Sequence, residues 1–305
     1  MQLTDQLTDR LYLGKVMCMQ KCPMQYYWQH HLHLQPKTKP DYLTFGSVFH
    51  KAALELGLVY SFPIAEAVLN KRIDLAIQLG WKQDQKLIDL FADLSDSTRE
   101  TMLLMLDAFS EKVAASNIKT ILGVEKTVQY DISHLSRFFK TWCIKCDFVF
   151  EDEEGLWVGD LKTTSGYGAS TAKYYHSSPQ TKTYFTIAQK KMPNLRGTKI
   201  FVVTKQKIRC EVEPIYITER DVYEADLFIG EAVEALERLE THAAREKGMP
   251  FAFARHMTHC LNFLGQECPY IPLCIKQVTS KQYLEDLLQN WYEVSSPDDH
   301  LELEV

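Results

Sequence analysis

The chain has 305 residues, 46% of them hydrophobic, and a formal charge of −6, enough apolar content for one large core or a core with a subdomain. The acidic balance excludes a protein that is basic over its whole surface, although a local basic channel can still steer phosphate on an acidic protein. No run of about 18 apolar residues occurs, so no membrane span is expected; the opening MQLTDQLTDRLYLGK lacks the pattern of an export signal and points to the cytoplasm.

In chain order, roughly the first 115 residues read as helical. Residues 17–31 are rich in aromatics, and Pro23 suits a helix start just after Cys22. Apolar residues at helical spacing follow over 45–58, and further helices are expected over 63–80, 84–94 and 98–115. The pattern then changes. From about 119 to 163, TILGVEKTVQYDI, TWCIKCDFVF and GLWVGDLKT read as strands, being rich in β-branched and aromatic residues with turn residues between them. A helix is expected from Pro179, with Ser178 as its N-cap. Two strands, TKIFVVTK and IRCEVEPIYI, come next, then a long helix over 219–246, a cluster of cysteines, and a short helix over 279–292 before an acidic tail.

The second and third strands hold an anomaly. With a turn centred between Glu153 and Glu154, position 147 faces 160 and position 150 faces 157. Phe148, Phe150, Trp157 and Leu161 then line an apolar face, while Asp147, Asp160 and Lys162 share the other with Val149 and Val158. Two carboxylates directly opposite each other are destabilising unless a cation lies between them. A hard divalent cation such as Mg²⁺ is commonly held by one or two carboxylates plus substrate phosphate, and Lys162 is placed to activate water or neutralise developing charge. In isolation the same triplet is also a common surface pattern, with two solvent-facing acids and a lysine paired to one of them.

Other residues extend the pattern. Gly46 and His50 form G-x-x-x-H on the 45–58 helix, and Gln180 and Tyr184 sit at i and i+4 on the helix after the hairpin. Glu125, on the preceding strand, reads as a neighbour that supports the site rather than as a ligand. The series G-x-x-x-H, D, D-x-K and Q-x-x-x-Y, in this order, resembles the PD-(D/E)XK nuclease superfamily, RecB-like branch, over about residues 18–275. The resemblance implies an α/β fold: a central mixed β-sheet of the restriction-endonuclease-like core, with a helical N-terminal region and a cysteine-rich C-terminal cap. It implies that His50, Asp147, Asp160 and the Leu161 carbonyl hold Mg²⁺ or Mn²⁺, that Lys162 is catalytic with the two aspartates, and that Gln180 and Tyr184 line the DNA path. The second acid is Asp where Glu is common, and Cys146 precedes Asp147 where a small or aliphatic residue is usual; neither change removes a ligand.

The eight cysteines, at 18, 22, 143, 146, 210, 260, 268 and 274, lack an export context and do not suggest a disulfide framework. Cys260, Cys268 and Cys274 need a fourth ligand to close a four-coordinate site, and Cys22 is the best donor from elsewhere, with Cys18 one helical turn away as the alternative. This arrangement resembles the iron–sulfur RecB-like nucleases, which include the CRISPR-associated exonuclease family, the AddB nuclease domain and phage-encoded relatives. The resemblance implies a structural 4Fe–4S cluster on Cys22, Cys260, Cys268 and Cys274; zinc uses the same four thiolates and remains the alternative. Cys143 and Cys146 read as buried core cysteines, and Cys210 as a strand cysteine without a role.

The expected organisation is a helical N-terminal region over 1–116 contributing His50 and Cys22, a nuclease core over 117–247 and an iron–sulfur cap with tail over 248–305, in one integrated domain. The expected substrate is DNA, cut without base-specific reading and from an end, in recombination, repair or processing, in a host cytoplasm if the chain is phage-encoded. Lys173, Lys182, Lys190, Lys191, Lys205, Lys207 and Arg209 are candidates to track a strand, Lys182 foremost, and Tyr174, Tyr175 and Tyr184 to stack on bases. Two other classes compete: a catalytically silent DNA-binding or assembly module of the same fold, and a phosphoesterase acting on a small substrate.

Overall fold

In a computed structural model that describes residues 9–37, 41–245, 260, 268–275, 286–287 and 289–294, the chain begins with β1 (Arg10–Leu11), α1 (Leu13–Lys21), α2 (Pro23–Tyr26), a π-type turn over Tyr27–His31 and β2 (Leu34–Pro36). A helical run follows: α3 (Asp41–His50), which winds on as a wider π-type helix over Lys51–Leu58, then α4 (Phe62–Leu69), α5 (Ile73–Gln78), α6 (Gln85–Ala92) and α7 (Asp96–Ala115). Strands β3 (Thr120–Asp131), β4 (Thr141–Glu151) and β5 (Leu156–Thr164) lead to α8 (Ala169–Ser177) and α9 (Pro179–Lys191). Strands β6 (Leu195–Thr204) and β7 (Arg209–Tyr216), the long α10 (Glu219–Arg245), α11 (Ile271–Ile275) and β8 (Tyr292–Val294) complete the described elements. Helices on a central mixed sheet give the α/β class that the residues imply.

The chain divides into two compact units. One comprises Asp41–Val128, Ile144–Asp226 and Val305. Here β4 and β5 pair antiparallel with Phe148 opposite Gly159 and Phe150 opposite Trp157, the register expected from the sequence. Strand β6 joins β5 in parallel after a connection through α8 and α9, and β7 closes on β6 antiparallel. The register starts at the turn. Asp152 Oδ1 accepts the N–H groups of Glu154 (2.8 Å) and Gly155 (3.2 Å) and the indole N–H of Trp157 (3.0 Å). Gly155 takes a φ of 132°, which residues with a Cβ rarely adopt.

The apolar hairpin face lies in the unit's main core. Phe148 stacks on Phe150 at 5.3 Å and meets Phe201 of β6 at the same distance, and Phe109 of α7 stands edge-on to Phe201 at 5.8 Å. Gly159 makes room for this, since a Cβ there would lie 2.3 Å from Phe148 Cζ. One expected helix is two. The 63–80 segment breaks after Leu69, where Lys71 adopts a left-handed φ of 59°. The Lys71 N–H bonds the Val68 carbonyl (3.0 Å) and the Arg72 N–H the Ala67 carbonyl (2.8 Å), a Schellman closure built without glycine. Helix α8, β1 and the short β2–β8 pair have no counterpart among the expected elements.

The other unit comprises Met1–Pro40, Gln129–Cys143 and Leu227–Glu304. Strand β1 pairs in parallel with the start of β4, Arg10 opposite Thr141 and Leu11 opposite Trp142, and β2 pairs antiparallel with β8. Buried polar contacts fasten its pieces: the Tyr26 hydroxyl donates to Glu240 (2.7 Å), that of Tyr270 to the Leu34 carbonyl (2.7 Å), and that of Tyr292 to the Pro269 carbonyl (2.7 Å). Of the helix expected over 279–292, residues 286–287 and 289–291 are helical; 276–285 and 288, like most of the cap between 246 and 267 and the acidic tail, lie outside the described residues.

Candidate active site

The period-2 alternation that drives Phe148, Phe150 and Trp157 into the core puts Asp147, Asp160 and Lys162 on the opposite sheet face. Asp147 Oδ2 accepts the backbone N–H of Leu161 at 2.6 Å and lies 3.8 Å from His50 Nδ1, at the end of α3. His50 also lies within reach of the Leu161 backbone. Asp160 Oδ1 is 2.9 Å from Lys162 Nζ, a pair with side chains only 12% and 21% exposed. His50, Asp147, Asp160, Leu161 and Lys162 therefore meet at one place.

Glu125 joins them. Ligand atoms of His50, Glu125 and Asp147 all lie within 4.8 Å of one another. The Glu125 backbone has a φ of 52°, a left-handed conformation costing about 1–2 kcal/mol for a residue with a Cβ, and such strain concentrates at functional sites. Its carboxylate also pairs with Lys145. Glu125 thus stands among the ligand atoms themselves, not behind them. The sequence places Glu125 as a neighbour of the site, but strand pattern alone does not put its carboxylate among the ligand atoms.

The charge balance of the cluster is uneven. Burial raises the Asp147 carboxyl to about 6, against the opposing pull of Lys162 and the Leu161 N–H. Burial likewise raises Asp160, with Lys162 countering. Burial, followed by the nearby Lys162 ammonium, lowers His50 to about 4, so its ring is neutral at pH 7 and free to act as a ligand. Burial opposes the charge on Lys162, but Asp160 and Asp147 more than offset it and raise its pKa. One neutral imidazole among carboxylates that resist ionising without a counter-charge is a donor set suited to Mg²⁺ or Mn²⁺.

The elements around the cluster modify the expected DNA-facing residues. In α9 Gln180 is half-buried and Tyr184 is buried. Lys182, the foremost strand-tracking candidate, is held by Asp221 (2.8 Å) and Glu224 (3.0 Å), so its charge is already compensated within the protein. Lys190 pairs with Asp226 at 3.0 Å, and Lys205 lies 3.6 Å from the centre of the Phe45 ring. Tyr175 is only 9% exposed and packed against Ile200 and Val202, which closes its ring to a base; its neighbour Tyr174 is 65% exposed.

The cysteines gather in the other unit. Cys22 caps α2, and its N–H bonds the Cys18 carbonyl at 2.8 Å. The Cys268 N–H bonds the Cys260 carbonyl at 2.8 Å, and the thiol of Cys268 is within electrostatic range of both Cys22 and Cys260. Tyr292 is in range of Cys268 and Cys274, and the Trp28 indole N–H reaches Cys274 Sγ at 3.4 Å. Cys18 stands beside Cys22 and Cys268, so five thiols share the neighbourhood; burial pushes that of Cys18 well up. Among the described residues, no three of these sulfur atoms lie within 4.8 Å of one another. Cys143 and Cys146 are buried in β4, where burial raises the Cys146 thiol to about 12.

Comparison with known proteins agrees with this chemistry. Residues 14–275 match the family model described as the PD-(D/E)XK nuclease superfamily. No curated protein matches the chain. Among solved structures, a protein from Eubacterium rectale provisionally named an exonuclease is 9% identical, with 88% of this chain and 94% of that one covered at a TM-score of 0.41. The crystal structure of SSO0001 is 13% identical, with 62% of this chain and 84% of that one covered at a TM-score of 0.29. Neither superposition is close enough to bear on activity.

Proposed function

The chain belongs to the PD-(D/E)XK nuclease superfamily, and from that premise we propose that it is a metal-dependent deoxyribonuclease, an exonuclease that hydrolyses phosphodiester bonds without strong sequence preference in DNA recombination, repair or processing. The observation that carries the proposal is the meeting of His50, Glu125 and Asp147 ligand atoms beside the Lys162–Asp160 pair. His50, Asp147, Asp160 and the Leu161 carbonyl hold Mg²⁺ or Mn²⁺, with Glu125 as a further carboxylate. The bound cation supplies Lewis-acid stabilisation of charge on the phosphate and lowers the pKa of its water.

The chain's own groups do the rest. Lys162 faces the scissile phosphate as a fixed cation, oriented by Asp160, and offsets the negative charge that grows on the non-bridging oxygens. His50 contributes a neutral ring nitrogen. Asp147 must shed its proton to act as a ligand, which its carboxyl, raised to about 6, does near neutral pH. Gln180 and Tyr184 contribute to the DNA path from α9, while the internally paired Lys182 has a smaller part than its sequence position suggests. In the other unit, Cys22, Cys260, Cys268 and Cys274 hold a 4Fe–4S cluster that braces segments far apart in sequence.

The test is a time course on end-labelled single- and double-stranded DNA with a circular control, with Mg²⁺ or Mn²⁺, comparing wild type with Lys162→Ala. Loss of linear DNA by wild type alone is expected. Equal inertness of both proteins with either metal defeats the nuclease reading. Broad absorbance near about 400 nm from anaerobically purified protein is expected of the cluster; colourless, zinc-loaded protein defeats that part.

A further inference from the structure

Helix α8 carries none of the residues in the motif series, yet it packs against the strand that borders them. Strand β6 runs parallel to β5 with Ile200 beside Asp160 and Val202 beside Lys162, so all four side chains share one sheet face. Tyr175 packs on that face against Ile200, Val202 and Ile215. Its ring therefore occupies ground one strand away from the Lys162–Asp160 pair, and it lies within electrostatic range of both charges. The ring fills space on that face that the Lys162 side chain could otherwise enter.

A carboxylate on β7 also ties α8 there. Glu213 of β7 lies across from Ile200. It accepts a hydrogen bond from the Tyr167 hydroxyl at 2.8 Å and contacts His176 Nε2 at 2.8 Å. Tyr167 precedes α8 and His176 lies in its last turn, so Glu213 tethers both ends of the helix. No residue of this arrangement is needed to explain the metal seat. It does explain why a helix with few apolar residues packs on the sheet at this point.

We propose that Tyr175 is a positioning residue for Lys162: α8, tethered at both ends to Glu213, holds the Tyr175 ring beside the lysine side chain and keeps its ammonium from swinging away from Asp160. This rests on the reading of Lys162 as the phosphate-facing cation. The variants are Tyr175→Ala, which removes the ring from Ile200 and Val202, Glu213→Gln, which weakens the tether, and their combination. Each single variant is expected to lower kcat by about tenfold on linear DNA with KM within about twofold. The double variant is expected to be no slower than the worse single one, because Glu213 acts through Tyr175.

A second readout does not depend on turnover. The rate at which an amine-reactive reagent labels Lys162, followed by peptide mass spectrometry, is expected to rise in both single variants while surface lysines such as Lys173 are unchanged. If Lys162 labels at the wild-type rate in Tyr175→Ala, if Tyr175→Phe, which keeps the ring, labels as fast as Tyr175→Ala, or if the kinetic losses simply add in the double variant, the proposal is overturned. If wild type is inert on DNA but Lys162 labelling still rises in both variants, the positioning role stands and the nuclease reading alone falls.

Discussion

His50 and Asp147 make opposite demands on protons, and this gives a test that needs no substrate. The Asp147 carboxyl is raised by burial to about 6, against about 3.9 in an unfolded chain. Its contribution to stability is fully present below the unfolded value and is lost as pH rises through about 6. His50 is lowered, by burial first, to about 4, against about 6.5 unfolded. Its contribution is present above about 6.5 and is lost as pH falls toward about 4. Between about pH 4.5 and 6 each state therefore holds one proton on these two residues: the native state on Asp147, the unfolded state on His50. Their slopes cancel in wild type. Removing either one exposes the other, with a slope of about 1.4 kcal/mol per pH unit. In metal-free buffer, His50→Gln should gain stability as pH falls from about 6 to 4.5 and Asp147→Asn should lose it, so the two diverge by about 3–4 kcal/mol over that range. Urea titrations followed by tryptophan fluorescence at each pH measure this. Two variants whose stabilities run parallel with pH would refute the environments assigned to both side chains. Mn²⁺ added to wild type should raise its stability at pH 7.5 and do so less below about pH 6, where the proton competes for Asp147.

Two further changes test the frame and the DNA path. Gly159→Ala puts a Cβ 2.3 Å from Phe148 Cζ, in a ring cluster bounded by Phe150 and Phe201, and should cost about 2–3 kcal/mol in urea unfolding; Phe148→Leu in the same chain should recover part of it. Lys182→Ala should change DNA affinity by less than about twofold and leave the salt dependence of binding unchanged, because Asp221 and Glu224 already neutralise that ammonium.

The hairpin was legible in the sequence because its signal is local and has two parts that agree. Alternation fixes which residues share a face, the acidic turn fixes the register, and a one-residue slip would have put Phe148 and Phe150 outside and the aspartates inside. What sequence could not supply depends on torsions and distant partners. Lys71 ends a helix in a left-handed turn normally marked by glycine, so the break left no trace in the pattern. Glu125 stands in the ligand cluster on a left-handed backbone that no residue type announces. Helix α8 spans ASTAKYYHS, which has no apolar periodicity to read; the carboxylate that ties it belongs to a strand three elements further along. Lys182 looked like an open cation because its partners, Asp221 and Glu224, come from the start of another helix. The cysteines are an intermediate case: spacing showed that three thiols lacked a fourth, but only the folded chain brings Cys22 and Cys18 to Cys268. The clustered acids are thus encoded by period and register, while the groups packed beside them are encoded by the fold, so a change such as Tyr175→Ala leaves every motif residue in place and is expected to alter Lys162 all the same.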